Sequence, residues 1–209
     1  MSSAGLPGLE SWPLIADRTE TAVDLPVVTV RVRSRVYEPP NVAGFGEEWG
    51  DGVEISPRAV FRADLEFEPP PPRAPRGLLG IAARYARREF RRSLREDGLQ
   101  AVRDRARRRL TAEDGTSLAA FKYTATYPLD GYALTGTAGD MSLPVAVWAG
   151  IWPTTDSFAM GGGVYPVETV PSVVESAGLR LKRPIELPVD PESDRRVTLR
   201  TLRHLAAAA

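Results

Sequence analysis

Hydrophobic and polar residues alternate in two segments of the amino-terminal half, which predicts β-strands with one face in a core and one in water. In residues 27–37, valines occupy one face and arginines the other. In residues 59–68, apolar residues alternate with charged ones, and the proline run at 69–72 ends the strand. Between the two strands, residues 38–57 are rich in Pro, Gly and acidic residues, which predicts a long irregular loop.

The clearest helix signal covers residues 77–97. At about 100° per residue, apolar side chains that include Leu79, Phe90 and Leu94 fall on one arc, and six arginines fall on a separate arc. These arginines are Arg84, Arg87, Arg88, Arg91, Arg92 and Arg95. The pattern predicts a long amphipathic helix that packs its apolar stripe on a sheet, turns its arginines away and ends at Gly98.

Residues 99–110 fit two structures. Their apolar spacing suits a second helix, but the turn signal formed by Glu113, Asp114 and Gly115 is typical of a hairpin. We favour a hairpin that pairs residues 102–111 with residues 117–127, because a downstream strand needs a partner.

The carboxyl-terminal half contains further strand signals. Residues 143–152 are apolar on both faces and predict a central strand, and residues 158–165 return beside it. Residues 179–187 predict a weak strand. Asp190 followed by Pro191 predicts the start of a terminal helix, with Asp as the N-cap and Pro in the first turn.

Together these elements predict an α/β (α+β) fold. An antiparallel, meander-rich sheet of about six strands is packed by one long amphipathic helix and a shorter C-terminal helix. Residues 1–13 are predicted to be a flexible leader and residues 14–209 a single globular domain, since 209 residues suffice for one core.

Several short motifs follow one another in a recognisable order. They are FRADLEF (61–67), ARREFRRSLREDGL (86–99), FKYTATYPLDG (121–131) and IWPTTDSFAMGGGVYP (151–166). Their order resembles an uncharacterised haloarchaeal protein family, a domain of unknown function, and the helix-then-meander layout is similar to the PsbP-like α/β fold. The resemblance supports the hairpin, and it implies no activity, cofactor or catalytic residue.

Charge is distributed unevenly along a chain whose net charge is zero. Residues 73–109 contain thirteen arginines and four acids, whereas the segments on either side are acidic. A dipolar chain of this kind attracts anionic partners locally or pairs with itself. The arginine bias is general, because the chain has 25 Arg and two Lys.

Several function classes are disfavoured by composition. Cysteine is absent, which removes disulfides, thiolate metal sites and cysteine nucleophiles. The single histidine, His204, makes a conventional zinc site or a Ser–His–Asp triad a poor hypothesis. With no readable secretory signal and no apolar run long enough to span a bilayer, we expect a cytoplasmic protein.

The candidate partner-binding residues are the six helix arginines together with Trp49. Guanidinium groups on one helix face would grip phosphates, anionic lipid head groups or an acidic protein patch. The alternative is a solvated helix face. Trp49 in an acidic loop would be an interaction anchor, or it would fold back over the sheet.

Two further patterns have simpler structural interpretations. Residues 161–163 are a glycine run in a strand setting, which indicates a close backbone approach rather than a phosphate loop. The acids at 47, 48 and 51 and those at 190, 192 and 194 lack the spacing of a known calcium loop. We therefore predict no metal and no cofactor.

The leading functional hypothesis is a non-catalytic soluble interaction or ligand-binding domain of unknown target, with the arginine-rich helix face as its contact surface. One alternative is a salt-dependent binder of an anionic surface, either nucleic acid or membrane. The other is an enzyme of unknown class that uses carboxylates, Tyr or Lys122 in a pocket, and it is the least favoured. The partner and the oligomeric state stay open.

Overall fold

The computed structural model describes residues 12–25, 28–42, 44–53, 55–69, 79–185, 187 and 189–208. These residues form one seven-stranded antiparallel sheet and five α-helices. The strands are β1 (Leu14–Leu25), β2 (Val28–Tyr37), β3 (Ala59–Glu68), β4 (Gln100–Thr111), β5 (Ser117–Asp130), β6 (Asp140–Pro153) and β7 (Phe158–Pro166). The helices are α1 (Phe45–Trp49), α2 (Leu79–Glu96), α3 (Gly131–Thr135), α4 (Val170–Ser176) and α5 (Pro191–Ala207). The predicted mixed α/β class with an antiparallel sheet is confirmed.

The strand order is β1-β2-β3-β7-β6-β5-β4, so β1 and β4 are the two edges of the sheet. The chain leaves β3 in the interior and re-enters the sheet at the far edge, β4. Helix α2 lies on that connection and contacts β4, β5 and β6 across one face. We call this the α2 face, and we call the opposite face, where α5 contacts β6 and β7, the α5 face.

Aromatic packing holds α2 on the sheet. Leu79, Ala83 and Leu94 are buried on the inner side of the helix. The ring of Phe90 stacks on that of Phe61 from β3 with the centroids 5.0 Å apart. These contacts fix which side of α2 faces solvent, because side chains on the opposite arc cannot reach the sheet.

The glycine run in β7 lets both faces of the sheet be covered closely. A Cβ atom on Gly161 would lie 3.0 Å from Leu205 of α5, and one on Gly163 would lie 3.2 Å from Thr198 of the same helix. On the α2 face, Phe61 packs against Gly162. The run therefore serves close packing, as its strand setting predicted. The run lies within β7, which continues to Pro166, so it is not a loop that leads from a strand into a helix.

The β4–β5 hairpin forms, and the alternative helix over residues 99–110 does not. Its turn is stabilised locally: an Asp114 carboxylate oxygen accepts from the Thr116 amide at 2.9 Å. Gly115 has φ of 87°, which favours glycine because it lacks a Cβ.

Three other expectations differ from the structure. The segment 38–57 is not wholly irregular, since it contains a short 3₁₀ turn and α1. The predicted strand at 179–187 was wrong, because the described residues of that segment form no strand. Strand β1 was missed, since its acids and threonines at this sheet edge obscure the alternation. Most of the predicted leader, residues 1–11, lies outside the described residues.

Candidate binding surface

The six arginines singled out in α2 occupy its outer side, and we call them the arginine face. Five of them are exposed, whereas Arg87 is half-buried. Arg87 lies on the side of the helix nearer to the sheet, and it forms an ion pair with Asp104 of β4. Tyr123 of β5 adds a second link, because its hydroxyl donates to the Arg87 carbonyl oxygen at 3.1 Å. Arg87 therefore anchors the helix, while the other five side chains face solvent.

Two more members of the arginine face pair within the helix itself. Arg88 contacts Glu89 at 3.0 Å. Arg92 contacts Glu96 at 2.7 Å, in the i, i+4 arrangement that suits helix surfaces. Hydrogen bonding to Glu96 raises the pKa of Arg92 above its ordinary value. Both pairs are exposed, so they hold the side chains loosely and contribute little to stability.

Arg84, Arg91 and Arg95 behave differently. All three are exposed, and none has a carboxylate partner among the residues that the structure describes. Among the described residues, nothing accepts from their guanidinium groups, which leaves these donors open to an external acceptor. Within the described chain, the arginine face thus consists of three paired and three unpaired cations.

Apolar side chains interrupt this basic surface. Ile81 is 56% exposed and Tyr85 is 41% exposed, although both are large and hydrophobic. The guanidinium carbon of Arg88 lies 5.1 Å from the centre of the Tyr85 ring, a cation–π distance. The outer side of α2 therefore combines positive charge with two exposed apolar groups near its amino-terminal end.

Strand β4 extends the positive surface along the sheet edge. Arg107 pairs with Phe121 in register and Arg109 pairs with Ala119, which places both on the α2 face. Together with Arg108 between them on this sheet edge, they line an open depression of about 300 Å³ beside Leu79 and Gly80 at the start of α2. The basic character of this side of the molecule is thus shared by a helix and a neighbouring strand.

Trp49 does not lie on this surface. Its side chain is 6% exposed and belongs to the main hydrophobic core, so it is no exposed anchor. The guanidinium of Arg183 lies over its ring at 4.4 Å and forms an ion pair with Glu48. The structure therefore agrees with the interpretation in which Trp49 folds back over the sheet.

Two of the candidate carboxylates serve structural roles. Asp190 caps α5 by accepting from the Ser193 amide at 2.9 Å, and Asp194 is buried and pairs with Arg58. Burial raises the pKa of Asp194 from its ordinary value, while Arg58 opposes the shift. No group of three potential metal ligands comes together anywhere in the described parts of the chain.

Two buried polar groups were not found from the sequence. Glu38 is 6% exposed and accepts from the Ser56 amide at 3.0 Å, and burial raises the pKa of its carboxyl. Burial also raises the pKa of Tyr127, with the charge of Glu38 adding to the shift. Nothing in the local pattern marks Glu38 as buried, because its burial depends on the fold of the 38–57 segment.

Fold and surface together define an antiparallel α/β protein with a basic helix face. The chain belongs to a family described as a domain of unknown function (DUF6517), whose model matches residues 10–205. Membership in an uncharacterised domain family, which the resemblance implied, is confirmed. No curated protein and no solved structure matches the chain significantly. Within the described ranges, every helix is too short or too polar to cross a membrane.

Proposed function

We propose that the protein is a non-catalytic interaction domain that binds an acidic surface of a partner protein through the arginine face. The observation that carries this proposal is the trio Arg84, Arg91 and Arg95, exposed and without carboxylate partners in the described chain. Because α2 is held by Arg87 and by aromatic packing, the trio is presented on a fixed support. The helix backbone is therefore preorganised, and each planar guanidinium fork loses less freedom per hydrogen bond than a single-point donor such as Lys would.

The apolar residues of the surface favour a protein partner over nucleic acid. Protein interfaces are enriched in Tyr and Arg, and Tyr85 beside Arg88 on α2 is such a combination. Ile81 would be buried in a protein contact, whereas a phosphate backbone gives an exposed isoleucine no partner. Nucleic acid and membrane are therefore alternative outcomes of the test.

Native mass spectrometry on protein purified gently from its own cells tests the proposal. We compare the wild type with Arg84→Glu/Arg91→Glu/Arg95→Glu. The matched control is Arg196→Glu/Arg200→Glu/Arg203→Glu, which makes the same change in net charge on exposed positions of α5. The wild type and the control should carry a second protein chain, and the α2 variant should lose it.

The outcomes separate the hypotheses. Extra mass from nucleic acid or lipid in place of protein would favour the salt-dependent binder of an anionic surface. A partner retained by the α2 variant would place the contact elsewhere, and a bare wild-type monomer at low ionic strength would contradict a stable partner.

Five finer expectations accompany the proposal. We take α2 as the principal amphipathic helix, residues 14–209 as one domain, and the cytoplasm as the location. The haloarchaeal source and the PsbP-like layout stay predictions.

A further inference from the structure

The α5 face of the sheet is left open near the β4 edge. Helix α5 contacts β6 and β7, and on the α2 face the side chains of β5 are buried. On the α5 face of the same strand, Lys122, Thr124 and Thr126 are only half-buried. A strip of sheet along β4 and β5 therefore stays accessible on this side.

Arg105 and Arg108 lie on the same face of β4 because this strand has an irregularity. Its register with β5 shifts between Asp104 and Ala106, so Arg105 is an additional residue on the β4 side. Its Nε donates to the Thr124 hydroxyl at 2.9 Å, which directs the guanidinium onto the α5 face. Without the shift, Arg105 and Arg108 would point to opposite faces of the sheet, because they lie three positions apart and side chains alternate along a strand.

Two more cations converge on the same place. Lys122 lies directly between Ala106 of β4 and Trp148 of β6 in the paired register. The guanidinium carbon of Arg108 lies 6.0 Å from the centre of the Trp148 ring. Trp148 lies at the base of the strip and is 2% exposed. Lys122 thus has Arg105 anchored at Thr124 on one side and Arg108 anchored at Trp148 on the other.

The three charges have no counter-ion in the described chain. None of Arg105, Lys122 and Arg108 forms an ion pair with a described carboxylate. The acid closest in sequence, Asp104, is on the opposite face and is occupied by Arg87. Like charges on neighbouring strand positions repel one another, so an external anion between them would remove a standing repulsion.

We propose that Arg105, Lys122 and Arg108 form a binding site for a phosphoryl group carrying two negative charges. Lys122 supplies a compact point charge, and the guanidinium groups supply forked donors held in place by Thr124 and Trp148. A dianion matches the convergence of three cations better than a single carboxylate does. The group is the terminal phosphate of a soluble compound or of a lipid head group, and the site is separate from the arginine face.

Calorimetric titration at an ionic strength of about 0.15 M measures the dissociation constant of pyrophosphate directly. Lys122→Gln, Arg105→Gln and Arg108→Gln should each weaken binding about tenfold or more, since each removes a charge-assisted hydrogen bond. Lys122→Arg should retain binding. The matched control is Arg107→Gln, which makes the same change on the same strand but on the α2 face.

A second arm uses vesicles of phosphatidylcholine with phosphatidic acid to distinguish the two sources. Binding of pyrophosphate with the expected variant pattern assigns a soluble ligand, and binding of the vesicles alone with that pattern assigns a lipid head group. The absence of saturable binding to both probes would overturn the proposal, as would equal weakening by Arg107→Gln. The Arg84→Glu/Arg91→Glu/Arg95→Glu variant should bind like the wild type, so this proposal and the partner proposal fail separately.

Discussion

At the scale of single residues, Gly162 occupies a position on β7 that has no room for a side chain. A Cβ atom there would lie 2.2 Å from the Trp148 carbonyl oxygen and 2.6 Å from the Phe61 ring. Because the carbonyl belongs to a neighbouring strand, relief requires movement of the sheet. We predict that Gly162→Ala lowers the free energy of unfolding by about 1–3 kcal/mol or more, measured by urea denaturation.

The control for this prediction is another glycine replaced in the same way. Gly80 on α2 has no atom within 4 Å of an added Cβ, so Gly80→Ala should leave stability unchanged or raise it by up to about 1 kcal/mol. Equal stability of the two variants would show that β7 is not packed as closely as described.

At the scale of elements, the arginines of α2 have two roles: Arg87 holds the helix on the sheet, and others are exposed to solvent. Arg87 pairs with Asp104, whereas Arg91 has no described carboxylate partner. Arg87→Gln should therefore cost about 1 kcal/mol, partly because Asp104 loses its counter-charge. Arg91→Gln should change stability by less than about 0.5 kcal/mol. Thermal unfolding of the two variants checks this, and equal losses would contradict the division.

The elements also show what local pattern could and could not predict. Strands β2, β3 and β6 and helix α5 were predictable because alternation, apolar runs and an Asp-Pro start are local signals. Strand β1 was not, since an edge strand with polar residues on both faces has no such signal. Helix α1 was missed because its burial depends on contacts with distant residues, including the stacking of Arg183 on Trp49.

The candidate surfaces were also predictable only as far as local sequence pattern determines them. The arginine face was predictable because helical periodicity alone separates it from the apolar stripe. Which arginines are paired was not, since the Asp104 partner of Arg87 comes from β4. The cluster of Arg105, Lys122 and Arg108 depends on a register shift in a strand pair, and no sequence pattern reveals that.

At the scale of the whole molecule, the chain is neutral while residues 73–109 carry an excess of nine positive charges. The described part of this segment, residues 79–109, has eleven arginines and four acids and forms α2, β4 and the turn between them, so an excess of seven positive charges is displayed on one helix and one sheet edge. Attraction to an acidic partner is then local, and added salt should weaken it as the screening length falls from about 10 Å at 0.1 M to about 3 Å at 1 M.

Site-specific photo-crosslinking in the protein's own cells tests the central claim most directly. The photoreactive residue benzoylphenylalanine replaces Tyr85, which is exposed beside Arg88 of the arginine face, or Arg200, which is exposed on α5. We predict a crosslink to a second protein from position 85 and none from position 200. Crosslinks from position 200 alone, or from neither position, would contradict the assignment of α2 as the contact surface.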